Sequence, residues 1–445
     1  SGPTDEGGRA ISMIRKPLNI GVCGVGTVGL ATIGILRDQC EALLARSGQS
    51  MVVSHVGARR EHPDHDYGDA RVSRDVLDVA QDPDVDVLVE LIGGTTVAHD
   101  LIKLAIQHGK HVVTANKALI AEHGNDLIAL AEAAGVQIRY EAAVAGGIPV
   151  IKVLRESLAA NVVTEVAGII NGTGNFILTE MSTKGRAFDD VLSEAQALGY
   201  AEADPTFDID GTDAAHKLVI LASLAFGIPL SIDAPMKQGI QEVAPEDLEY
   251  AASMGYRVKH LGIARRTEQG IEMRVHPTLI PEHKQIATVD GVLNAVMISG
   301  DAVGEVVLVG PGAGGAATAS SVCADLVDVA RNPAGSGPAL GIAAAALQAP
   351  NWVPVEDIAS EWYVRLTAGD QSGVMSDITH ILASRDISIE SIIQKPSAPG
   401  SDKVPVVLLT HVAPQSVMTG ALNEITALEE VDADAALMRV EAFDR

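Results

Sequence analysis

LNIGVCGVGTVGLATIGIL, residues 18–36, is the stretch that decides the fold. Residues 18–23 read as a buried strand, GVGTVG (24–29) as a glycine turn, and the apolar run after it as a helix. Gly24 allows the tight turn, and Gly26 lets a pyrophosphate approach the backbone. Gly29 lets helix and strand pack closely, while Thr27 and Val28 offer the helix's first free N–H groups to an anion. This order predicts a dinucleotide-binding unit.

The same alternation continues outward. MVVSHVGA (51–58) is a second strand, and Arg59 and Arg60 stand at its end, where an NAD site carries an acid. Two guanidinium groups suit a 2′-phosphate, so NADP is favoured, with NAD the alternative. The loop EHPDHD (61–66) reads as polar surface rather than as a metal site for His62 and His65. VDVLVELIGG (85–94) leaves Gly93, Gly94 and Thr95 at the carboxyl end of the sheet. A helix over 97–108 and a strand over 111–115 bring Lys117 to the same crevice. A helix over 118–134 and a strand over 136–140 complete five parallel strands.

At EAAVAGGIP (141–149) the rhythm breaks. The stretch reads first as a tight turn between domains without any ion; the alternative is an oxygen set for a hard cation, from the Glu141 carboxylate and the carbonyls of Val144, Gly146 and Ile148. From 150 to about 310 the pattern is α+β. Helices over 188–198 and 211–226 flank EADPTFDIDGTDAAHK (202–217), with Thr212 as N-cap. Asp213 and Lys217 then share a helical face. An acid holding a lysine and facing Glu202 and Asp208 makes a site for a small cationic metabolite. GPGAGGAATASSVCADLVDVA (310–330) repeats the pattern of glycine turn and helix and can return to the nucleotide unit. Residues 331–360 read as a linker, and 361–445 as β-α-β-β-α-β, a ferredoxin-like unit.

Composition narrows the partners. A formal net charge of −26 excludes nucleic acid and anionic membrane as partners. The absence of a long apolar run points to a cytoplasmic protein. Cys23, Cys40 and Cys323, an odd and scattered set, read as core residues rather than disulfides.

Eight motifs, in order, resemble those of the homoserine dehydrogenase family, in its longer bacterial form with a C-terminal ACT domain. They are GVGTVG, the glycine pair 93–94, VVTANKAL (112–119), EAAVAGGIPVI (141–151), IINGTGNFIL (169–178), GYAEADPTFDIDGTDAAHKLVILA (199–222), HPTLIP (276–281) and GAGG with its TAS (312–320). The resemblance implies three folded parts. These are a Rossmann-type nucleotide domain (18–141 plus about 312–331), an inserted catalytic and dimerisation domain (142–311) and, after a linker (332–360), an ACT domain (361–445).

It implies reversible NAD(P)-dependent interconversion of L-homoserine and L-aspartate 4-semialdehyde, on the route to threonine and methionine. Lys217 and Lys117 match the family's lysine pair, and Glu202, Asp208 and Asp213 its substrate acids. Glu141, Val144, Gly146 and Ile148 match its sodium site. Cofactor contacts fall on the first glycine turn, Lys117, Asn171, Gly172, Thr173 and Gly314. A threonine effector and a homodimer or homotetramer are further implications. On chemical grounds Lys217 is the proton acceptor, positioned by Asp213, with Lys117 stabilising the alkoxide. Aspartate semialdehyde dehydrogenase chemistry would need a cysteine nucleophile in the crevice, and none of the three is placed for it. A non-catalytic amino-acid sensor would not need the lysines and acids that are present.

Overall fold

The computed structural model describes residues 15–60, 63–335, 337–394 and 402–443. His62, most of the polar N-terminal segment and most of the loop between the second and third strands of the C-terminal unit lie outside them. The first sheet is wholly parallel. Its order is Arg71–Ser73, Met51–Gly57, Leu18–Cys23, Val87–Glu90, His111–Thr114, Ile138–Arg139. It therefore has six strands rather than five. The extra edge strand is three residues long and lacks an apolar run, so periodicity does not reveal it. Chain order reverses beside Leu18–Cys23, and ligands of such sheets bind outside the carboxyl ends at that switch. The helix Gly315–Arg331 does return to this unit. Its Val322, Leu326 and Val329 share a core with Ile20, Val22, Ile33 and Leu36.

The second sheet has ten strands. Nine run in the order Gly304–Pro311, Leu293–Gly300, Val163–Ile169, Tyr256–Arg266, Ile271–Pro281, Ala436–Val440, Ala359–Gly369, Lys403–Pro414, Ile389–Gln394, and Met236–Lys237 adds to Ile271–Pro281. The last four are the β-α-β-β-α-β unit, with its own core around Leu366, Ile378 and Leu408. Its sheet does not end at its own edge. Ala436–Val440 pairs in parallel with Ile271–Pro281, setting Thr278 against Arg439 and Leu279 against Val440. The helix Thr212–Phe226 is apolar almost all round and correspondingly buried. Its N-cap is Gly211 at φ +89°, not Thr212, because Asp210 Oδ1 accepts the Thr212 N–H (2.8 Å) and forces that turn.

Two other expectations change. Cys40 is exposed, since it opens the helix Cys40–Ser47 on the solvent side, while Cys23 and Cys323 are buried. Most described residues of 331–360 are exposed, but the stretch is anchored at one point. Leu340 is buried, and Tyr140 Oη donates to Ala339 O at 2.8 Å. Among the described residues no helix is long and apolar enough to cross a membrane.

The junction between the two parts of the large sheet is ionic. Arg265 donates to Glu165 (2.6 Å) and to Glu441 (2.8 Å), and the fully buried Arg274 pairs with both Glu272 and Glu441. Burial alone would raise the Glu441 pKa. The Arg274 and Arg265 guanidinium groups outweigh it and hold the carboxyl down to about 2. Its folded pKa is depressed, so the stabilisation is present above the ordinary carboxylate range and is lost as pH falls toward 2. Glu441→Ala should cost ~3–5 kcal/mol, the usual penalty for orphaning a buried charge. Urea unfolding of both proteins at neutral pH checks this, and the difference should shrink in acid.

Candidate active site

The carboxyl ends of the first sheet form a cleft of about 380 Å³ lined by Gly24, Gly26, Gly57, Ala58, Arg59, Arg60, Val76 and Leu91 among others. Gly24 adopts φ +99°, and a Cβ there would fall 2.5 Å from Leu91 O; one at Gly29 would fall 2.0 Å from Gly24 O. Both positions therefore exclude side chains, whereas Gly26 faces open space. Thr27 and Val28 begin the helix Thr27–Asp38. Gly314, at φ +115°, caps the returning helix, and Gly315 packs on Thr27, with a Cβ there only 2.8 Å from Thr27 Cγ2. Two helix N-termini thus open beside each other, an arrangement suited to phosphate. Arg59 and Arg60 are exposed at the mouth, and Arg74 braces them by donating to Arg60 O (2.7 Å).

Across the crevice the second group of residues converges on one carboxylate. Asp213 accepts from Lys217 Nζ at 2.6 Å through Oδ2, and its Oδ1 lies 3.1 Å from Lys117 Nζ. Lys217 also donates to Ile170 O at 2.7 Å. The Asn171 amide donates to Asp213 Oδ2 and to Asp208 Oδ1, both at 2.9 Å, while its Oδ1 accepts the Gly174 N–H and caps the helix Gly172–Lys184. Thr173 donates to Tyr200 O. Burial dominates at Lys217 and lowers its pKa, and the Lys117 charge works the same way against the pull of Asp213. At Asp213 burial would raise the pKa, but the two ammonium groups and the hydrogen bonds hold it well below the usual range. Asp208, chiefly through burial, is shifted up. Glu202 stands apart: it is exposed, and its carboxylate has no ion-pair partner among the described residues.

The loop 141–148 is only partly as expected. The Glu141 carboxylate is buried and accepts the N–H groups of Ile151 (2.9 Å) and Lys152 (2.8 Å), capping a helical turn. Gly146 O accepts from Ser321 Oγ (2.7 Å), and Ile148 O from Val150 N. Ala145 and Gly146 both have positive φ, so the loop turns sharply here. Burial, then the nearby Asp325, pushes Glu141 up to about 7. Among the described residues no three His, Cys, Asp or Glu side chains gather as a metal site.

The three parts match known families separately. A profile described as the homoserine dehydrogenase NAD-binding domain matches residues 24–141, one for homoserine dehydrogenase matches 149–327, and one for the ACT domain matches 362–430. A homoserine dehydrogenase of Pseudomonas aeruginosa is 52% identical over 433 residues, 96% of this chain and 100% of that protein. The chain belongs to the homoserine dehydrogenase family. The crystal structure of a homoserine dehydrogenase from Thiobacillus denitrificans superposes with a TM-score of 0.91 at 49% identity, covering 96% of this chain and 99% of that one. A hyperthermophilic archaeal homoserine dehydrogenase in complex with NADPH gives 0.60 at 29% identity over 70% of this chain and 97% of that chain.

A homoserine dehydrogenase is an oxidoreductase acting on a CH–OH group, and in this chain Lys117 is held at the crevice. Sequence reading misses the residue that does much of this. Glu90, fully buried at the end of Val87–Glu90, accepts from Ile92 N (2.8 Å), Gly93 N (3.2 Å) and Thr114 Oγ1 (2.6 Å). Asn116 in turn donates to Gly94 O (2.7 Å) and caps the helix that starts at Lys117. Glu90 thus ties the 93–94 turn to the segment that delivers Lys117. An acid closing a strand was the available signal. As a positioning residue, Glu90→Ala should lower kcat about tenfold, ~1.4 kcal/mol, with less effect on homoserine KM. The isosteric Glu90→Gln should recover most of it, which steady-state kinetics of both variants will show.

Proposed function

We propose that Lys217 is the proton acceptor for oxidation of L-homoserine to L-aspartate 4-semialdehyde, and the proton donor for the reverse reaction. One observation carries this reading: the two fixed acceptors around Nζ, Ile170 O and Asp213 Oδ2. A neutral amine has two N–H bonds and one lone pair. With both N–H bonds engaged, the lone pair is left for the substrate hydroxyl. Burial, which lowers the Lys217 pKa, favours that neutral form. Lys117, fixed to the other oxygen of Asp213, supplies positive charge to the developing alkoxide. Asp208, held by the Asn171 amide, is the acid assigned to the substrate ammonium; Glu202, exposed in this structure, is the second acid assigned to it. When bound, the nicotinamide ring accepts hydride from the carbinol carbon or returns it.

Arg59 and Arg60 at the cleft mouth favour NADP. A monovalent cation such as sodium at Glu141, Val144, Gly146 and Ile148 would have to share oxygens that already accept hydrogen bonds from Ile151, Lys152, Ser321 and Val150. In the C-terminal unit Gly373, at φ +105°, opens the helix Val374–Ser384 beside DQSG, a turn suited to a small amino-acid effector such as threonine. The exposed edge strand Gly304–Pro311, with Val309 at its surface, supports pairing of two copies.

Lys217→Ala should lower kcat by about two to four decades, the range of a general acid–base group, followed through NADPH absorbance. A loss of only a few-fold would remove Lys217 from the chemistry. In the wild type, kcat/KM for homoserine oxidation should rise with pH and level off below the ordinary lysine value of 10.5. Asp213 pulls the Lys217 pKa up, so Asp213→Asn should move this limb to lower pH. The double change Arg59→Ala, Arg60→Ala should raise KM for NADP about tenfold or more and leave NAD nearly untouched; an unchanged ratio would refute the NADP assignment.

A further inference from the structure

Arg59 and Arg60 are not the only guanidinium groups at the mouth of the nucleotide cleft. The edge strand Arg71–Ser73 lies beside Met51–Gly57, with Ser73 opposite Gly57. The Ala58 N–H then donates to Ser73 O at 2.9 Å, so both chains leave the sheet together. The next residue after the edge strand is Arg74, and Val76, two residues on, lines the cleft. Three residues make a strand too short to rely on ladder bonds alone. This one is tied by side chains. The fully buried His55 meets Ser73 Oγ through Nε2 (2.7 Å) and Asp82 through Nδ1 (2.8 Å), and Arg71 donates to Asp82 at 3.0 Å. Arg74 therefore starts from a fixed point.

Its side chain is exposed, yet one end of it is held. Nη1 donates to Ala58 O (3.2 Å) and to Arg60 O (2.7 Å). Two acceptors occupy the two Nη1 hydrogens. The Nε and Nη2 donors, which lie side by side, have no partner among the described residues. Such a parallel pair of N–H groups is the edge that grips two oxygens of a phosphate. Arg59 and Arg60 likewise pair with no carboxylate among the described residues. The whole chain carries a formal net charge of −26. A cluster of unpaired guanidinium groups in so acidic a protein is a local excess that a bound anion would balance.

The position of the cluster names the anion. Residues at the end of the second strand face the adenosine ribose of a dinucleotide whose pyrophosphate lies on the glycine turn. Arg74 is bonded to the backbone of that strand end. We propose that Arg74 is a specificity-determining residue whose Nε and Nη2 grip the 2′-phosphate of NADP, with Arg59 and Arg60 beside it. Its two bonds to the backbone orient the fork before the cofactor arrives. This role rests on the NADP reading of Arg59 and Arg60.

The test is equilibrium binding. NADPH and NADH are titrated by fluorescence into wild type, Arg74→Ala, Arg74→Lys, the double variant Arg59→Ala, Arg60→Ala, and the triple variant. Arg74→Ala should weaken NADPH about tenfold or more, the worth of charge-assisted hydrogen bonds, and leave NADH within about twofold, which also shows that the variant is folded. Arg74→Lys keeps the charge and loses the fork, so it should still bind NADPH several-fold more weakly than wild type. A residue that merely propped the Arg59–Arg60 turn would add nothing once both are alanine. The triple variant should instead bind NADPH about tenfold more weakly than the double variant. No further loss in the triple variant overturns the proposal. So does an unchanged NADPH to NADH ratio in Arg74→Ala, or full recovery in Arg74→Lys. A wild type without preference for NADPH would instead remove the underlying NADP reading, so the two failures are distinguishable.

Discussion

One carboxylate organises this molecule. Asp213 gives one oxygen to Lys217, four residues along its own helix, and the other to Lys117, which opens a helix of the parallel-sheet unit. The same contact that gathers the charged groups therefore joins the two halves of the crevice. Because it is buried, the charges are neither screened nor interchangeable. One acid faces two lysine amines, and burial lowers the pKa of the more deeply buried one, Lys217. Burial by the protein itself supplies this push at Lys217, without a bound cofactor to desolvate it. An amine poised to lose its proton and a cation beside it thus follow from one geometric arrangement.

The backbone around this cluster is fixed by acids that make no ion pair at the reacting centre. Glu90 and Glu141 each accept two or more hydrogen bonds from nearby groups, mostly backbone N–H. Each closes a strand of the parallel sheet and turns the chain sharply afterwards. A carboxylate can satisfy several donors at a tight turn where no regular ladder is available, which is why acids recur at these exits. The hydrogen bonds offset only part of their desolvation, since burial still raises the pKa of both, and the turns they hold carry Gly93, Gly94, Lys117 and the loop 144–148.

The features legible in the sequence are those carried by local rules. The strand, glycine turn and helix of 18–36 could be read because period and glycine spacing act over a few residues. The pairing of Asp213 with Lys217 follows from helical spacing alone. Residues whose role depends on distant partners were invisible. The role of Glu90 needs Thr114, and Arg71–Ser73 is a strand only because Met51–Gly57 offers it an edge. Glu202 shows the reverse limit. Its motif places it among the site acids, yet its loop holds it in solvent.

The same distinction governs the C-terminal unit. Its β-α-β-β-α-β order is local and was readable; its attachment is not, because Leu279 and Val440 are neighbours only in space. That attachment changes how a regulatory unit can act. The strand Ile271–Pro281 carries Arg274, clasped by Glu441 of the C-terminal unit, and the adjoining Val275 packs toward Gly211, the cap of the helix bearing Asp213 and Lys217. Val275 O also accepts from Gln238 N, whose own carbonyl pairs with His260 beside the same glycine. A shift of the C-terminal sheet would therefore reach the helix bearing Asp213 and Lys217 through one strand, one residue after the ion pair. A sheet with its ladder bonds in place is stiff along this direction. Regulation through this unit would accordingly act on how firmly the lysine cluster is held, before any change in the substrate's own contacts.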